Sequence, residues 1–451
     1  MEIQEIEQIY CSQGDTSARH QPKKYFSRGE GCFLADDVGT RYLDMQMYNS
    51  ASNFGYQHPA FEQALLNQMK ELPSLSGEYM CEAQVLLAEK ICSYMQLKHG
   101  VKGRVHFSVG GAQAVDDALK IIASSTGTRS VFAFEGAYHG RTMAASSISS
   151  SYRYYNQFGS VVDTYRIPFP CCYRCPYKKT PHYCELYCVR QFERLFESEY
   201  YGVYRPNAEL CAYGAFFAEP LLGRCGYVMP PEGYYSELQK VLHKYHIYLV
   251  FDEIQMGFYR TGKMWAFENF NVVPDMFTFG KSITNGLWPL SGVWAREEII
   301  SPNCWPCGSS HSTFAGNPIA MSLGLTAMQL TSSSDLQKQV ENNSRNFKEL
   351  INQLKNDYSV IGRADCCGMA AGIELVDPIT KRPNPELTHT VAELALNNPL
   401  SIDHKNYSLI LSVGGFFENA FLLSPCLIMK EYELELFNKL IRHYFNLAIK
   451  K

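Results

Sequence analysis

Residues 248–291 read YLVFDEIQMGFYRTGKMWAFENFNVVPDMFTFGKSITNGLWPLS. One apolar, β-rich run in this stretch ends at Asp252, and a second run, MFTF, ends just before Lys281. Such runs are typical of buried strands, and open α/β sheets bind ligands at the carboxyl ends of their strands. The stretch therefore predicts an α/β fold with an acid and an amine at one ligand-binding edge of a sheet.

An acid and an amine together suit the cofactor pyridoxal phosphate. A lysine amine forms a Schiff base with the aldehyde of this cofactor, and a carboxylate keeps the ring nitrogen protonated so that the ring can take up electrons from a carbanion. A solvated lysine after a strand is the ordinary alternative for Lys281 by itself. The presence of Asp252 and of the motif around both residues makes a cofactor-linked lysine the better interpretation.

Two segments of this stretch, FDEIQMGFYRTGKM and PDMFTFGKSITNGLWPLSGV, resemble the signature of the class III (ornithine and ω-amino acid type) aminotransferases. The resemblance implies fold type I of the pyridoxal-phosphate-dependent transferases, in which helices flank a mixed, mainly parallel sheet. It also implies a smaller α+β domain built from the two chain ends. We expect residues 1–55 to belong to the small domain, residues 56–330 to form the large cofactor-binding domain, and residues 331–451 to complete the small domain.

The resemblance implies a role for each residue around the cofactor. Lys281 would hold the cofactor as an internal aldimine, and its freed amine would then move a proton between the substrate carbon and the cofactor. For this it needs a lowered pKa, which burial can supply. Asp252 would pair with the pyridinium nitrogen, and Gln255 would hydrogen-bond the phenolate oxygen. Ile254 would cover one face of the ring, opposite Tyr138.

Tyr138 and His139 lie in VFAFEGAYHGRTMAA, a strand followed by a loop. This loop resembles the family's Gly-x-Tyr/Phe-His/Trp-Gly-Arg-Thr loop, in which the aromatic residue stacks on the electron-poor pyridine ring. The resemblance implies that Tyr138 takes part in catalysis and that both residues line the cofactor. A surface aromatic pair is the alternative, and it suits His139 better than Tyr138.

The phosphate site is expected in RVHFSVGGAQAVDDALKIIA, which reads as a strand, two glycines and a helix. Unpaired N–H groups and the helix dipole make such a helix start an anion site, although similar junctions also occur without ligands. Beside the lysine motif, Gly110, Gly111 and Ala112 become the expected phosphate cradle. The family usually has Asn-Ser-Gly-Ser/Ala-Glu where this chain has VGGAQ, so hydroxyl contacts are lost and a lower phosphate affinity is expected.

A threonine of the loop HSTFAGNPIAM reaches the phosphate of the neighbouring subunit in the family. The resemblance therefore implies that Thr313 binds the partner's cofactor and that the protein is a homodimer with shared active sites. Asn317 and Pro318 at the end of this loop predict the cap and first turn of a long helix.

Three positions bear on the substrate. Glu219 ends a third apolar run and matches the first acid of the family's Glu-Pro-x-x-Gly-Glu-x-Gly pattern, near the cofactor, whereas Arg224 stands where the second acid belongs. In NAFLLSPCL, Leu422 stands where the family has an arginine for the carboxylate of 2-oxoglutarate. In the family, this arginine and the glutamate of the second acid position form an Arg/Glu switch. Because both are replaced here, no buried charge is left unpaired. We expect the usual 2-oxoglutarate site to be absent and Arg224 to bind a carboxylate from the other side.

The loop SNFGYQHPAF, which contains Tyr56, borders the substrate pocket in the family. Tyr56 is therefore a candidate substrate-binding residue, although a simple turn before a helix explains the loop equally well.

The function implied by the resemblance is a pyridoxal-phosphate-dependent aminotransferase. It would move an amino group from an amine or ω-amino acid to a 2-oxo acid in ping-pong half-reactions. The replaced switch leaves an amino acid or amine racemase or epimerase on the same fold as an alternative, because such an enzyme binds no 2-oxo acid. A non-catalytic protein is the third possibility, and the retained Asp252, Gln255 and Lys281 speak against it.

Composition excludes several other classes. The chain has 451 residues, 46% of them hydrophobic, which is enough for a large core and two domains. A net charge of −4 argues against a nucleic-acid partner. No apolar run is long enough for a membrane span, and the acidic start MEIQEIEQIY has no apolar signal region. We therefore expect a cytoplasmic protein.

Five of the 16 cysteines lie in an insertion at residues 170–188, PCCYRCPYKKTPHYCELYC. The spacing of Cys172, Cys175, Cys184 and Cys188 is compatible with a structural zinc site, and packed free thiols are the alternative. The chemistry itself is expected to use no metal. The number of cysteines in so long a chain favours reduced thiols over disulfides.

Overall fold

The computed structural model describes residues 3–12, 14, 24–151, 158–198, 200, 202–205 and 210–450. Part of the predicted N-terminal segment, residues 15–23, lies outside the described residues. In the described part of the chain the α-helices are α1 Ile3–Tyr10, α2 Met47–Ser50, α3 Pro59–Glu71, α4 Glu82–His99, α5 Gly111–Thr126, α6 Met143–Ile148, α7 Tyr187–Glu193, α8 Tyr234–Lys244, α9 Glu297–Ile300, α10 Pro318–Thr331, α11 Ser334–Asp357, α12 Pro385–Asn397 and α13 Glu431–Ile449.

The strands of the same residues are β1 Arg28–Glu30, β2 Phe33–Ala35, β3 Arg41–Asp44, β4 Gly103–Ser108, β5 Val131–Phe134, β6 Thr164–Ile167, β7 Tyr204–Arg205, β8 Leu210–Cys211, β9 Ala215–Ala218, β10 Tyr248–Asp252, β11 Met276–Phe279, β12 Ser291–Arg296, β13 Ile361–Cys367, β14 Ala370–Leu375, β15 Leu400–Ile402, β16 Lys405–Ile410, β17 Ser412–Gly414 and β18 Ala420–Leu423. Short 3₁₀ helices cover Pro181–Tyr183, Arg194–Phe196, Ala266–Phe270 and Lys281–Thr284.

A seven-stranded sheet in the order β4-β12-β11-β10-β9-β5-β6 forms the centre of the molecule. Strand β12 runs antiparallel to both of its neighbours, and the other pairs are parallel. Alternate side chains of the strands enter two apolar clusters on opposite faces: Val250 packs in a cluster with α5, and Phe251 packs in the larger cluster with α8 and α10. The predicted mixed, mainly parallel sheet flanked by helices is confirmed.

Two smaller sheets contain strands from near the two ends of the chain. The order β1-β2-β3-β16-β15 joins N-terminal and C-terminal strands, because β3 pairs in parallel with β16. A second sheet has the order β13-β14-β18-β17. The expected smaller α+β unit from the two chain ends is therefore present, whereas its boundaries at residues 55 and 331 stay predictions.

Local sequence explains two helix starts that matter for the site. Asn317 caps α10 by accepting hydrogen bonds from the N–H groups of Ile319 and Ala320, and Pro318 occupies the first turn, as predicted. Helix α5 begins directly after Gly110, which has an extended backbone and provides no side-chain cap. Its first N–H groups are therefore available to a ligand.

Each helix within the described residues is too short or too polar to cross a membrane.

Candidate active site

The carboxyl ends of three adjacent strands bring the predicted charged residues to one edge of the central sheet. Glu219 follows β9, Asp252 ends β10, and Lys281 follows β11 after a single glycine. These strands are parallel neighbours in the order β11-β10-β9, so their ends coincide in space. The site thus has the amine and two acids that the sequence placed at strand ends.

The Asp252 carboxylate is buried and held by three groups of the chain. Thr278 Oγ1 donates to Asp252 Oδ1 over 3.0 Å, and the Ile254 N–H donates to the same oxygen over 3.2 Å. His139 Nδ1 lies 2.8 Å from Asp252 Oδ2. His139 is itself buried, and its backbone N–H donates to Ser149 Oγ. It therefore orients the carboxylate and is not part of a surface aromatic pair.

Lys281 begins the 3₁₀ helix Lys281–Thr284 with a φ of 48°, a left-handed conformation that is costly for a residue with a Cβ atom. Burial lowers the pKa of its amine to about 8, although the neighbouring Asp252 and Glu219 carboxylates raise it. The positive charge of Arg260 lowers it further. The free amine is thus prepared to act as a base near neutral pH.

Glu219 connects two loops of the site. Its Oε1 accepts a hydrogen bond from the Tyr138 N–H over 2.9 Å, and its Oε2 accepts one from the Gly223 N–H over 3.1 Å. Burial raises the pKa of this carboxyl group to about 7. A Cβ atom at Gly223 would lie 2.5 Å from Glu219 Oε2 and 2.7 Å from Gln255 Oε1, so this close packing requires glycine.

Gln255 and Ile254 follow Asp252 into the site. Gln255 Nε2 donates to Tyr227 Oη over 2.9 Å, which fixes the amide. The Ile254 side chain lies beside the start of α5, because a Cβ atom at Gly111 would be 3.0 Å from Ile254 Cδ1. A Cβ atom at Gly110 would meet nothing within 4 Å, so the space next to this helix start is open.

These residues fit pyridoxal phosphate. The open helix start suits a phosphate, the Lys281 amine suits an aldehyde, and the fixed Asp252 carboxylate suits a protonated ring nitrogen. Ile254 lies between the helix start and Gly280, where a Cβ atom would be 3.5 Å from Ile254 Cγ2. The groups that the cofactor needs therefore line one site.

Comparison with known proteins agrees with this fit. The sequence model of the family "Aminotransferase class-III" matches residues 16–435. The chain belongs to the class-III aminotransferase family. It is an enzyme of that family, and its cofactor is pyridoxal phosphate.

Curated relatives of this class-III enzyme include both racemases and aminotransferases. It is 30% identical to the alanine/serine racemase of Pyrococcus horikoshii, over 92% of this chain and 85% of the relative. It is 30% identical to the leucine/methionine racemase of Thermococcus litoralis, over 87% of this chain and 84% of the relative. It is also 30% identical to a probable 4-aminobutyrate aminotransferase of Bacillus subtilis, over 83% of this chain and 84% of the relative.

Among solved structures, the omega transaminase from Pseudomonas jessenii in complex with PMP has a TM-score of 0.88 and 22% identity, covering 100% of this chain and 99% of its own. A transaminase from the marine bacterium Virgibacillus has a TM-score of 0.84 and 24% identity, over 99% and 98% of the two chains. At these identities the likeness shows the fold.

Arg224 and Leu422, the residues at the positions of the replaced switch, lie close together. A Cβ atom at Gly414 would be 2.4 Å from Leu422 Cδ1 and 2.6 Å from the Arg224 carbonyl oxygen. Arg224 Nη1 donates to the Val413 carbonyl over 2.7 Å. Leu422 is buried in an apolar cluster with Leu221 and other residues, so its side chain offers no polar contact to a carboxylate.

Two predicted site residues remain, Tyr56 and Thr313. Tyr56 Oη donates to Asp44 Oδ2 over 2.7 Å, which ties this tyrosine to the end of β3. Thr313 is exposed in the loop before α10, beside the exposed Phe314. The roles of both residues stay predictions.

The cysteine insertion forms no metal centre in the described part of the chain. Its five cysteines line one small cavity, and all of them are free. No three His, Cys, Asp or Glu side chains among the described residues are arranged to hold a metal ion. Burial raises the pKa of Cys172 and of Cys188 to about 11, so both are thiols at neutral pH. The zinc site that the spacing allows and the packed thiols both stay predictions.

Sequence reasoning missed several residues that hold the site together. Thr278 had a visible signal, because it is the polar residue within the otherwise apolar run MFTF. Tyr227 gave no such signal, since its contact with Gln255 joins positions that are distant in the sequence. Arg260 lies within the quoted segment FDEIQMGFYRTGKM, but its contact with Met369 is equally distant and was not predicted.

Proposed function

We propose that this enzyme moves an amino group from an amine or ω-amino acid to a 2-oxo acid in ping-pong half-reactions, with Lys281 as the acid–base residue. The main support is the Lys281 amine itself, with a pKa of about 8, next to a fixed Asp252 carboxylate. Pyridoxal phosphate, when bound, supplies the aldehyde that captures the substrate amine and the ring that accepts the electrons of the broken C–H bond.

The residues of the chain would divide the remaining work. Lys281 Nζ, in its neutral form, would take the proton from the substrate carbon and deliver it to the cofactor carbon that carried the aldehyde. Asp252 would keep a negative charge at the ring nitrogen, and His139 and Thr278 fix the carboxylate in place. Tyr138, whose backbone N–H is anchored on Glu219, would cover the ring from the side opposite Ile254.

A single-turnover experiment tests the proposed transamination. Loaded enzyme is mixed with amino donors in the absence of any 2-oxo acid, and the absorbance of the bound cofactor is followed. We expect conversion to the aminated cofactor with one equivalent of oxo product per site, and no conversion in Lys281→Ala. Donors that bind without this conversion would contradict the proposal.

We further propose that Arg224 binds a substrate carboxylate in place of the arginine that Leu422 replaces. In the described residues its guanidinium has a neutral partner, the Val413 carbonyl, and no ion pair. Arg224→Ala should raise the KM of carboxylated substrates about tenfold or more, and leave that of a simple amine unchanged. Wild-type affinity of the variant for 2-oxoglutarate would contradict this role.

Racemisation of an amino acid is the second candidate, because two of the relatives are racemases and Leu422 replaces the arginine that the resemblance implies for the carboxylate of 2-oxoglutarate. Incubation with an α-deuterated amino acid in water distinguishes the two functions. A racemase would lose the deuterium and invert the α-carbon without passing the amino group to an acceptor. An aminotransferase would lose the deuterium together with the formation of oxo product.

We also propose a homodimer in which Thr313 binds the phosphate of the partner's cofactor. Several large apolar side chains are exposed in the described chain and would be covered by such an interface: Tyr48, Tyr79, Met80, Leu287, Trp288 and Phe314. The cytoplasmic location expected from the sequence stays a prediction.

A further inference from the structure

The turn between β17 and β18, residues 415–419, carries two adjacent phenylalanines that are exposed. Phe416 is 49% exposed and Phe417 is 54% exposed. Large apolar side chains scattered singly on a protein surface are ordinary, so exposure alone gives neither residue a role. The surroundings of the two rings distinguish them.

Phe416 packs against the loop that leads from β5 to Tyr138. A Cβ atom at Gly136 would lie 2.7 Å from Phe416 Cε1 and 2.9 Å from Cys225 Sγ, so the ring and the thiol meet at this glycine. The Cys225 thiol also donates to the Gly136 carbonyl over 3.2 Å. The Phe416 ring therefore lies beside two loops, the one that carries Tyr138 and the one that carries Arg224.

Hydrogen bonds fix the β17–β18 turn to the loop of Arg224. The Gly415 N–H donates to the Arg224 carbonyl over 3.1 Å, and Arg224 Nη1 donates to the Val413 carbonyl over 2.7 Å. A Cβ atom at Gly226 would lie 3.8 Å from Gly415 Cα, so the two segments are in contact. The guanidinium of Arg224 is thus held at a position three residues before Phe416.

Both loops beside Phe416 are also anchored in the candidate active site. The Glu219 carboxylate accepts hydrogen bonds from the Tyr138 N–H over 2.9 Å and from the Gly223 N–H over 3.1 Å. Phe416 meets each loop two residues away from its hydrogen-bonded N–H group. The ring therefore stands at the border of the site.

Phe417 has different neighbours. The Arg174 guanidinium, from the cysteine insertion, lies 6.0 Å from the centroid of the Phe417 ring. The same guanidinium pairs with Glu374 of β14 over 2.6 Å. Phe417 is therefore next to the cysteine insertion, and it provides a matched control for Phe416.

We propose that Phe416 is a specificity-determining residue: its exposed ring receives an apolar group of the substrate, and Arg224 receives the carboxylate. An aromatic ring binds such groups through the apolar area it buries and through ring–ring contact. The substrate class that fits both residues is an amino acid with a large apolar group. The inference deepens the proposed function, because it names the substrate class of the same site.

Two carboxylates that carry no amine test this inference on the loaded enzyme without any turnover. 3-Phenylpropanoate offers a ring to Phe416, whereas propanoate does not, and ligand-observed NMR gives both dissociation constants. We expect the wild type to bind 3-phenylpropanoate more tightly. Phe416→Ala should reduce this preference about tenfold and leave the binding of propanoate unchanged.

Two further variants complete the comparison. Phe417→Ala removes the same side chain at the neighbouring position and should keep the wild-type preference. Phe416→Leu keeps an apolar side chain and should lose only part of the preference; it also carries the test if Phe416→Ala does not fold. Circular dichroism and thermal unfolding verify the fold of each variant, and sedimentation velocity gives its oligomeric state.

An unchanged preference in Phe416→Ala, or an equal loss in Phe417→Ala, would overturn the proposal. A changed oligomeric state of Phe416→Ala with an unchanged preference would also overturn it, because Phe416 would then belong to a subunit interface. Failure of the proposed function gives a separate result. In that case no amino donor would aminate the bound cofactor in the single-turnover experiment, whatever the preference between the two carboxylates.

Discussion

At the scale of single residues, the Asp252 carboxylate is held by Thr278, His139 and the Ile254 N–H. Asp252→Asn keeps the size of the side chain and removes its charge. We expect kcat/KM to fall by about 10²–10³-fold, the usual effect of deleting a charge-stabilising group in an active site. Steady-state kinetics measure the change.

Thr278→Val is the matched control for Asp252→Asn, because it removes one neutral donor and leaves the carboxylate charged. We expect it to lower kcat/KM by less than about tenfold, in line with the loss of a single hydrogen bond. Equal losses in the two variants would mean that geometry, and not charge, explains the contribution of Asp252.

The lowered pKa of the Lys281 amine also predicts how the stability of the cofactor-free enzyme depends on pH. Its pKa is about 8 in the folded chain and 10.5 in an unperturbed lysine, so between these values the unfolded state binds more protons and stability rises with pH. The free energy of unfolding should rise by about 3 kcal/mol across this window. Urea unfolding at a series of pH values measures it.

Lys281→Met is the control for this pH dependence, since it removes the group that titrates. The variant should be more stable than the wild type below pH 8, and the difference should shrink as the pH approaches 10.5. A difference between the two proteins that stays constant with pH would contradict the lowered pKa of Lys281.

The sequence predicted the charged residues of the site because each of them ends an apolar run. Glu219, Asp252 and Lys281 need only the rule that buried parallel strands deliver their next residues to one edge. The hydrogen bond between Tyr227 and Gln255 and the neutral acceptors of Arg260 could not be predicted, since they depend on how distant segments pack. The family resemblance, and not the strand pattern, supplied the roles of Glu219, Asp252 and Lys281.

At the scale of elements, the proposed phosphate cradle at the start of α5 has no hydroxyl group in its residues Gly110, Gly111 and Ala112. Gly110→Ser would restore the serine that the family has there, and the space around a Cβ atom at this position is open. We expect an increase of about tenfold in affinity for pyridoxal phosphate, equivalent to one added hydrogen bond to a charged group. Absorbance titration of the cofactor-free enzyme measures the dissociation constant.

Pyridoxal without its phosphate is the matched control ligand for Gly110→Ser. Its affinity should not change, because the added hydroxyl would act on the phosphate. Gly111→Ser is the control variant, because its Cβ atom would lie 3.0 Å from Ile254 Cδ1. Ile254 would have to shift, so the affinity for pyridoxal phosphate should fall. An equal gain for both ligands would point to a more stable helix start and not to a phosphate contact.

Helix α10 and strand β12 differ in how far the sequence predicts them. The start of α10 was predictable because Asn317 and Pro318 carry its cap and first turn locally. The antiparallel direction of β12 was not, since its residues read like those of the parallel strands in the same sheet and only pairing with β4 and β11 sets the direction. Local signals thus define where an element begins, and packing defines which way it runs.

At the scale of the whole molecule, the chain ends meet in one sheet where β3 pairs with β16. Pairing across so long a separation has no local signal, and the expectation of a shared small domain came from the family resemblance. Arg260 adds a second connection of this kind, because its acceptors Asn53 and Pro425 also belong to the two ends. Folding of the site therefore depends on both ends of the chain.

The proposed dimer gives the last prediction at this scale. Phe314, next to Thr313, is 68% exposed in the described chain. Phe314→Arg should convert the dimer into monomers, because a charge at the centre of an apolar contact is costly to bury. Sedimentation velocity measures the oligomeric state at micromolar concentration.

The same variant should bind pyridoxal phosphate more weakly than the wild type, since monomers lack the Thr313 contact from the partner subunit. The residues of each monomer's own phosphate cradle are unchanged in this variant. A loss of affinity would therefore show that the partner subunit contributes to the site. Ile379→Arg is the matched control, because Ile379 is 89% exposed in the turn after β14. It should leave both the dimer and the affinity unchanged, whereas a dimeric Phe314→Arg with wild-type affinity would rule out this interface.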